Sequence, residues 1–410
     1  MREDKKTMKR KAIIFLGDGM ADDPLEELGG RTPLEAAATP AMDSIARRGV
    51  SGTFLTLPEG LPTSSDVANM SVLGFYPERN YPGRGPIEAA SQQIELAPDD
   101  IAWRCNLVTA DDEYLRDYSA GHIENDRATQ LMAALQREFG SDKVTFHPGV
   151  SYRNLLILHG SEFSPAVNYH KPDSSQDMAL AELRLTPADD TPEAKHTVEF
   201  LRDLEERAAR FLAAHPLNAG VAVPADRIWP WSPGRKPVME PFTTRYQGRR
   251  GAIISAVDVI RGLGRCTGME VIDVPGATGY LDSNFAGKAA AAVKAIEEFD
   301  FVYLHVEATD ECSHIGDLAL KMKAIEIFDS QVVSPVLRAL DGKGINFAVL
   351  PDHPVPIRLR AHTRTPVPVA LAGPDFAPDG VDVFSERLAP QGSFGFHRGD
   401  ELMRALLHLQ

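Results

Sequence analysis

Short apolar runs that stop at turn residues recur along the chain, and segments of helical periodicity separate several of them. "KAIIFL" (11–16) halts at Gly17-Asp18-Gly19 and reads as a buried strand ending in a sharp turn. "PAMDSIARRG" predicts a helix over 40–48, with Thr39 as cap, Pro40 at the first helical position and Gly49 as stop. "GTFLTL" (52–57) alternates as a strand does, and the loop after it leads into a helix whose cap candidates are Ser64 and Ser65.

From about 78 to 250 the texture changes to Pro- and Gly-punctuated segments, among them the strand-like "YRNLLILHG" (152–160) and a long helical run at 192–215. This stretch reads as an inserted domain. After 250 the alternation resumes with strands at 251–257, 269–276, 301–308, 345–350 and 367–373, and helices at 284–299, 317–340 and 400–409. Apolar strands alternating with helices argue for an α/β fold, a mostly parallel sheet flanked by helices. In such sheets the functional site lies at the carboxyl ends of the strands.

Composition narrows the function classes. Of the 410 residues, 43% are hydrophobic and 25% charged, and no run of about eighteen apolar residues offers a membrane span. The charged opening is followed by an apolar run too short for a secretory signal, so the expected location is cytoplasmic. Three scattered cysteines fit free thiols in a reducing compartment. A net charge of -15 argues against a nucleic-acid surface, which needs clustered Lys and Arg. No nucleic-acid or membrane partner is expected, an anion would be held locally through a metal or a few arginines, and a homo-oligomer stays open.

The chemistry concentrates at strand ends. Asp18 follows one strand, Asp310 and His314 follow another, and Asp352-His353 follow a third, with His362 a short loop later. Three carboxylates and three imidazoles are what two divalent ions such as Mn²⁺ or Zn²⁺ use. Asp310 and His314 are four apart and can meet on one helical turn. Adjacent Asp352 and His353 would point apart in an extended strand, so they need a turn. Taken singly, each is as easily a turn or cap residue; their coincidence at successive strand ends favours metal. Ser64 and Ser65 both offer a nucleophile at a helix N-terminus, where free amides and the dipole favour phosphate. Anion-binding candidates are Arg84, Arg104, Arg127, Arg153, Arg261 and Lys288, and His122 is a ligand-contacting candidate in the insertion. Arg104 lies in an apolar stretch, which calls for a carboxylate or phosphate partner. Cys312 is expected to face the core, and Trp229 and Trp231 to serve in packing.

With these residues laid out, the chain resembles the cofactor-independent phosphoglycerate mutases, specifically the archaeal-type branch within the alkaline phosphatase superfamily. "IIFLGDGMADDP", "LPTSSDVANMSVLGF", "DVPGATGYLDSNFAGKA", "HVEATDECSHIGD" and "PDHPVPIRLRAHTRTPVPVAL" carry the match. The resemblance implies an alkaline-phosphatase-like catalytic domain over 1–77 and 251–410 and a smaller α+β domain at 78–250 that closes on substrate. It implies two divalent metal ions, Mn²⁺ first with Zn²⁺ or Mg²⁺ as substitutes. Asp18, Ser65, Asp352 and His353 look like ligands of one, and Asp310, His314 and His362 like ligands of the other. It selects Ser65 as the residue transiently phosphorylated while 3-phosphoglycerate and 2-phosphoglycerate interconvert. Arg153 and Arg261, with His122 and Lys288, are the substrate-binding candidates. The chain departs from the pattern at "DYSAGHI" (117–123), where basic residues are usual, at Ser313 in place of glycine, and at Val355 in place of threonine. Two alternatives follow: a related phosphotransferase acting on homoserine, resembling a bacterial branch, and a non-catalytic metal-dependent binder of phosphorylated metabolites.

Overall fold

The computed structural model describes residues 9–409, so the charged opening through residue 8 lies outside the described residues. The chain forms two compact units, Met1–Tyr81 with Met239–Gln410, and Pro82–Val238.

The first unit is built on an eight-stranded sheet. Its strands in chain order are β1 (Lys11–Gly17), β2 (Val50–Leu55), β3 (Gly251–Ile254), β4 (Glu270–Ile272), β5 (Phe301–Val306), β6 (Ile345–Leu350), β7 (Val367–Ala372) and β8 (Gly395–Arg398). They lie in the order β4-β3-β5-β1-β6-β7-β2-β8, and only β7 runs antiparallel to its neighbours. The run from Ala12 to Leu16 is wholly buried, as a strand covered on both faces must be, and it pairs in parallel with both β5 and β6. That register puts the carboxyl ends of β1, β5 and β6 side by side.

Three local expectations are corrected. Thr39 precedes the helix Pro40–Arg48, but its side chain makes no capping hydrogen bond. The free amides of Ala41 and Met42 donate instead to Asp329 Oδ1, at 3.0 and 2.7 Å. Asp329 lies in a π-helical stretch, Phe328–Val333, which interrupts the helix expected at 317–340 between Leu318–Ile327 and Ser334–Leu340. A cap supplied from nearly 300 residues away cannot be read from local sequence. The strand expected at 301–308 ends at Val306, because a helix begins at Ala308 and runs to Ile315.

The second unit carries a five-stranded antiparallel sheet. Its central strand, Ile101–Ala110, pairs with Leu115–Asp117, Arg153–Leu158 and Arg227–Arg235. Helices Asn125–Phe139 and Pro192–Ala213 bury Leu131, Leu135, Leu201 and Leu204 in one cluster with Trp103 and Leu156 of the sheet. Among the described residues no helix is long and apolar enough to cross a membrane.

Candidate metal centre and nucleophile

The turn after β1 is shaped by one glycine. Gly19 has φ +61°, and a Cβ there would stand 2.7 Å from Asp310 Oδ1 and 2.9 Å from Val355 Cγ2. A side chain at this position would be strained in its backbone and would collide with a candidate ligand. Gly19 N–H also donates to Asp352 Oδ1 at 3.1 Å, and the Thr309 hydroxyl donates to the Asp18 carbonyl. The three strand-end loops are thus bonded to one another. Lys321 ties the loops after β1 and β6: its fully buried ammonium lies 2.7 Å from Asp22 Oδ2 and donates to the carbonyls of Ala21 and Val355.

Two groups of side chains converge above these loops. In the first, His314 Nε2 lies 3.4 Å from Asp310 Oδ2 and 2.9 Å from His362 Nε2, which is itself 3.4 Å from Asp310 Oδ1. In the second, His353 Nε2 lies 3.5 Å from Asp18 Oδ1, 3.4 Å from Asp352 Oδ2 and 3.2 Å from Ser65 Oγ. The His353 and His362 rings stack at 3.8 Å, so the groups adjoin. Donor atoms held about 2.0–2.2 Å from one tetrahedral ion stand roughly 3.3–3.6 Å apart, the spacing of the carboxylate–imidazole pairs here, while the His314–His362 and His353–Ser65 pairs stand closer, at 2.9 and 3.2 Å.

Electrostatics favour a cation. Burial, and then the neighbouring Asp352, raises the Asp18 carboxyl well above its ordinary range. Burial likewise pushes Asp352 up to about 6, and Glu307 to about 8 with help from Asp310. Asp310 goes the other way: burial raises it, but hydrogen bonds from His314 and His362 hold it well below the usual range. Burial, then His362, depresses His353, which leaves a neutral imidazole suited to ligation. Asp18 Oδ1, Asp310 Oδ1, His353 Nδ1 and His362 Nδ1 are buried without a hydrogen-bond partner. Asp18 and Asp310, each buried with an orphaned oxygen, are costly to keep ionised unless a cation meets them. The residues present therefore fit divalent metal.

Of the two candidate serines, Ser65 opens the helix Ser65–Val72 with its hydroxyl on the second group, while Ser64 Oγ is buried and makes no hydrogen bond. The helix presents Ser65 there because Ser64 stays extended, at φ -152° and ψ 153°.

The substrate candidates are divided between the two units. Arg153 lies exposed at the start of its strand, over the Tyr152 ring at 5.2 Å, and His122 packs edge-on against Tyr118 and Tyr152. Both are in the second unit. Arg104 has the carboxylate partner its surroundings call for, Glu88 at 2.5 Å, which Arg84 also reaches at 2.7 Å. In the first unit, Arg261 pairs with Asp273 at 2.5 Å, and Lys288 is buried with its ammonium on the His305 carbonyl at 3.1 Å. Burial, opposed by Glu307, brings the Lys288 ammonium down to about 8.

Sequence reasoning missed His305, Glu307 and Asn69. His305 Nε2 lies 3.0 Å from Asp18 Oδ2, and its Nδ1 meets Ser255 Oγ at 3.1 Å. The signal was available, since both His305 and Glu307 lie in "HVEATDECSH"; they pass for strand residues because their neighbours are apolar. Cys312 packs in the core, as expected.

Comparison with known proteins gives the family. Residues 46–218 match the family model described as 2,3-bisphosphoglycerate-independent phosphoglycerate mutase. A protein so named from Methanosarcina acetivorans is 46% identical over 97% of this chain and 99% of its own length. One from Methanothrix thermoacetophila is 44% identical at the same coverage, and a probable one from Geobacter sulfurreducens is 43% identical. The solved cofactor-independent phosphoglycerate mutase of Thermoplasma acidophilum superposes with a TM-score of 0.66 at 29% identity, covering 97% of this chain and 99% of that one. On this evidence the chain belongs to the 2,3-bisphosphoglycerate-independent phosphoglycerate mutase family, in its archaeal branch.

Proposed function

We propose that this protein interconverts 3-phosphoglycerate and 2-phosphoglycerate by way of a phosphoserine at Ser65. The observation that carries the proposal is the Ser65 hydroxyl, 3.2 Å from His353 Nε2 among the donors of the second group. In the forward direction Ser65 Oγ attacks phosphorus, the Oγ–P bond forms, and the bond to the C3 oxygen breaks. That oxygen takes up a proton and leaves as a hydroxyl. The 2-hydroxyl oxygen of the retained glycerate then attacks the phosphoserine, the bond from O2 to phosphorus forms as the Oγ–P bond breaks, and the proton the 2-hydroxyl gives up is matched by the one Ser65 Oγ takes back.

Asp18, Asp352, His353 and Ser65 would hold one divalent ion, and Asp310, His314 and His362 the other, with Mn²⁺ the ion of choice. Bound there, such ions lower the pKa of the serine hydroxyl and neutralise charge on the phosphoryl oxygens. The chain's own residues do the rest. The N-terminal end of the Ser65–Val72 helix would offer its free amides to the anion, and Lys288 places a buried ammonium beside Glu307. Arg153, with His122 beside it, and Arg261 are assigned to the anionic ends of the substrate.

The test is ³¹P NMR of purified protein with Mn²⁺ and 3-phosphoglycerate, run beside a second sample holding ATP and homoserine. The 2-phosphoglycerate signal is expected in the first and no new phosphate ester in the second. Turnover of homoserine alone would replace the mutase assignment with a phosphotransferase; silence in both would favour a binder.

A further inference from the structure

We propose that Asn69 is a positioning residue: it locks the nucleophile's helix to the metal-facing carboxylate of Asp352, and Tyr303 fixes the direction of its amide. The inference rests on the two-metal phosphoserine function proposed above.

Asn69 stands one turn after Ser65 in the same helix. Its Nδ2 donates to the Ser65 carbonyl at 2.7 Å and to Asp352 Oδ2 at 2.8 Å, and the Tyr303 hydroxyl donates to its Oδ1 at 2.5 Å. Asn69, Tyr303 and Asp352 are all fully buried. A primary amide has two N–H donors, and both are used. Only one orientation satisfies the site, because a flipped amide would set Oδ1 against a carboxylate and a carbonyl, three acceptors with no proton between them.

Asp352 Oδ1 is already occupied by the N–H groups of Gly19 and His353, at 3.1 and 2.9 Å. Oδ2 is the oxygen left facing His353 Nε2, and Asn69 sets its place. The same NH₂ group grips the peptide carbonyl of Ser65. Nucleophile and metal-facing oxygen are thereby held in one frame, and a shift of about 1 Å in such a frame costs on the order of 10²-fold in rate. An amide suits the task because it adds no charge to a site that already buries Asp18, Asp310 and Asp352. A carboxylate there would repel Asp352.

Titration of Mn²⁺, followed by the loss of the free-ion EPR signal, together with kcat and KM for 3-phosphoglycerate, tests this on wild type, Asn69→Ala and Tyr303→Phe. Asn69→Ala is expected to weaken one of the two ions by about tenfold or more and to lower kcat by roughly 10- to 100-fold. KM is expected to stay within about threefold, since the phosphoglycerate contacts are untouched. Tyr303→Phe, which frees the amide to rotate, should move both quantities the same way by less. Variants that only lose thermal stability, with Mn²⁺ affinity and kcat at wild-type values, would overturn the assignment. If Asn69→Ala does not fold, Tyr303→Phe decides alone by the same criterion. A wild-type enzyme that binds fewer than two ions and carries no phosphoserine would instead overturn the function beneath the inference.

Discussion

Replacing Ser65 by alanine is expected to lower kcat by about 10⁴-fold or more, the scale on which removal of a covalent nucleophile is felt. Alanine keeps the helix, whose buried face of Val67, Ala68, Met70 and Val72 is untouched, but has no oxygen to form the ester. Asp310, His314 and His362 make no contact with Ser65 that would be lost, so Mn²⁺ at that group should persist in the variant. Ser64→Ala should stay within about threefold of wild type, because Ser64 Oγ makes no hydrogen bond. Steady-state assays of both variants, with Mn²⁺ counted by mass spectrometry of metals, check the pair. An active Ser65→Ala beside an inactive Ser64→Ala would reverse the choice of nucleophile.

Chelation is expected to be nearly as severe. Protein stripped of divalent ions should lose on the order of 10³-fold or more in activity and regain it with Mn²⁺, because serine is a poor nucleophile at neutral pH without an activating group. It should also melt lower. Asp18, Asp352 and Glu307 are pushed up first by burial, and Asp310 raises all three further, so in the stripped protein part of the site must take up protons or repel. Binding to the folded state alone adds about 2.7 kcal/mol per site when free Mn²⁺ is 100-fold above its dissociation constant. Thermal denaturation with and without Mn²⁺ reads this directly. Full activity after exhaustive chelation, with an unchanged melting temperature, would contradict a metal centre.

The buried strands of the first unit were legible because a strand covered on both faces is apolar throughout, and "AIIFL" and "INFAVL" can be little else. Their order in the sheet was not legible, since pairing of β1 with β5 joins residues almost 290 positions apart. Among site residues, Asp310 and His314 were readable from a four-residue spacing that a helical turn makes meaningful. Asp352 and His353 were readable only as a coincidence with other strand ends, and Ser65 was separated from Ser64 by resemblance alone. Asn69 was hidden because its sequence position says only that it lies one turn beyond a serine; its meaning comes from Tyr303 and Asp352, 234 and 283 residues away. Lys321 was hidden too, since a lysine on a helix normally reaches solvent and here meets Asp22 at zero exposure. Polar residues that serve a site from below depend on long-range packing, and local patterns carry little trace of them.

The most direct test of a phosphoserine path is to quench the Mn²⁺-loaded protein in acid during turnover of 3-phosphoglycerate and sequence its peptides by mass spectrometry. One phosphoryl group on Ser65, absent before substrate is added and absent from Ser65→Ala, is the expected result. Rapid formation of 2-phosphoglycerate with Ser65 unmodified at every quench time, or with the phosphoryl group on another residue, would contradict it.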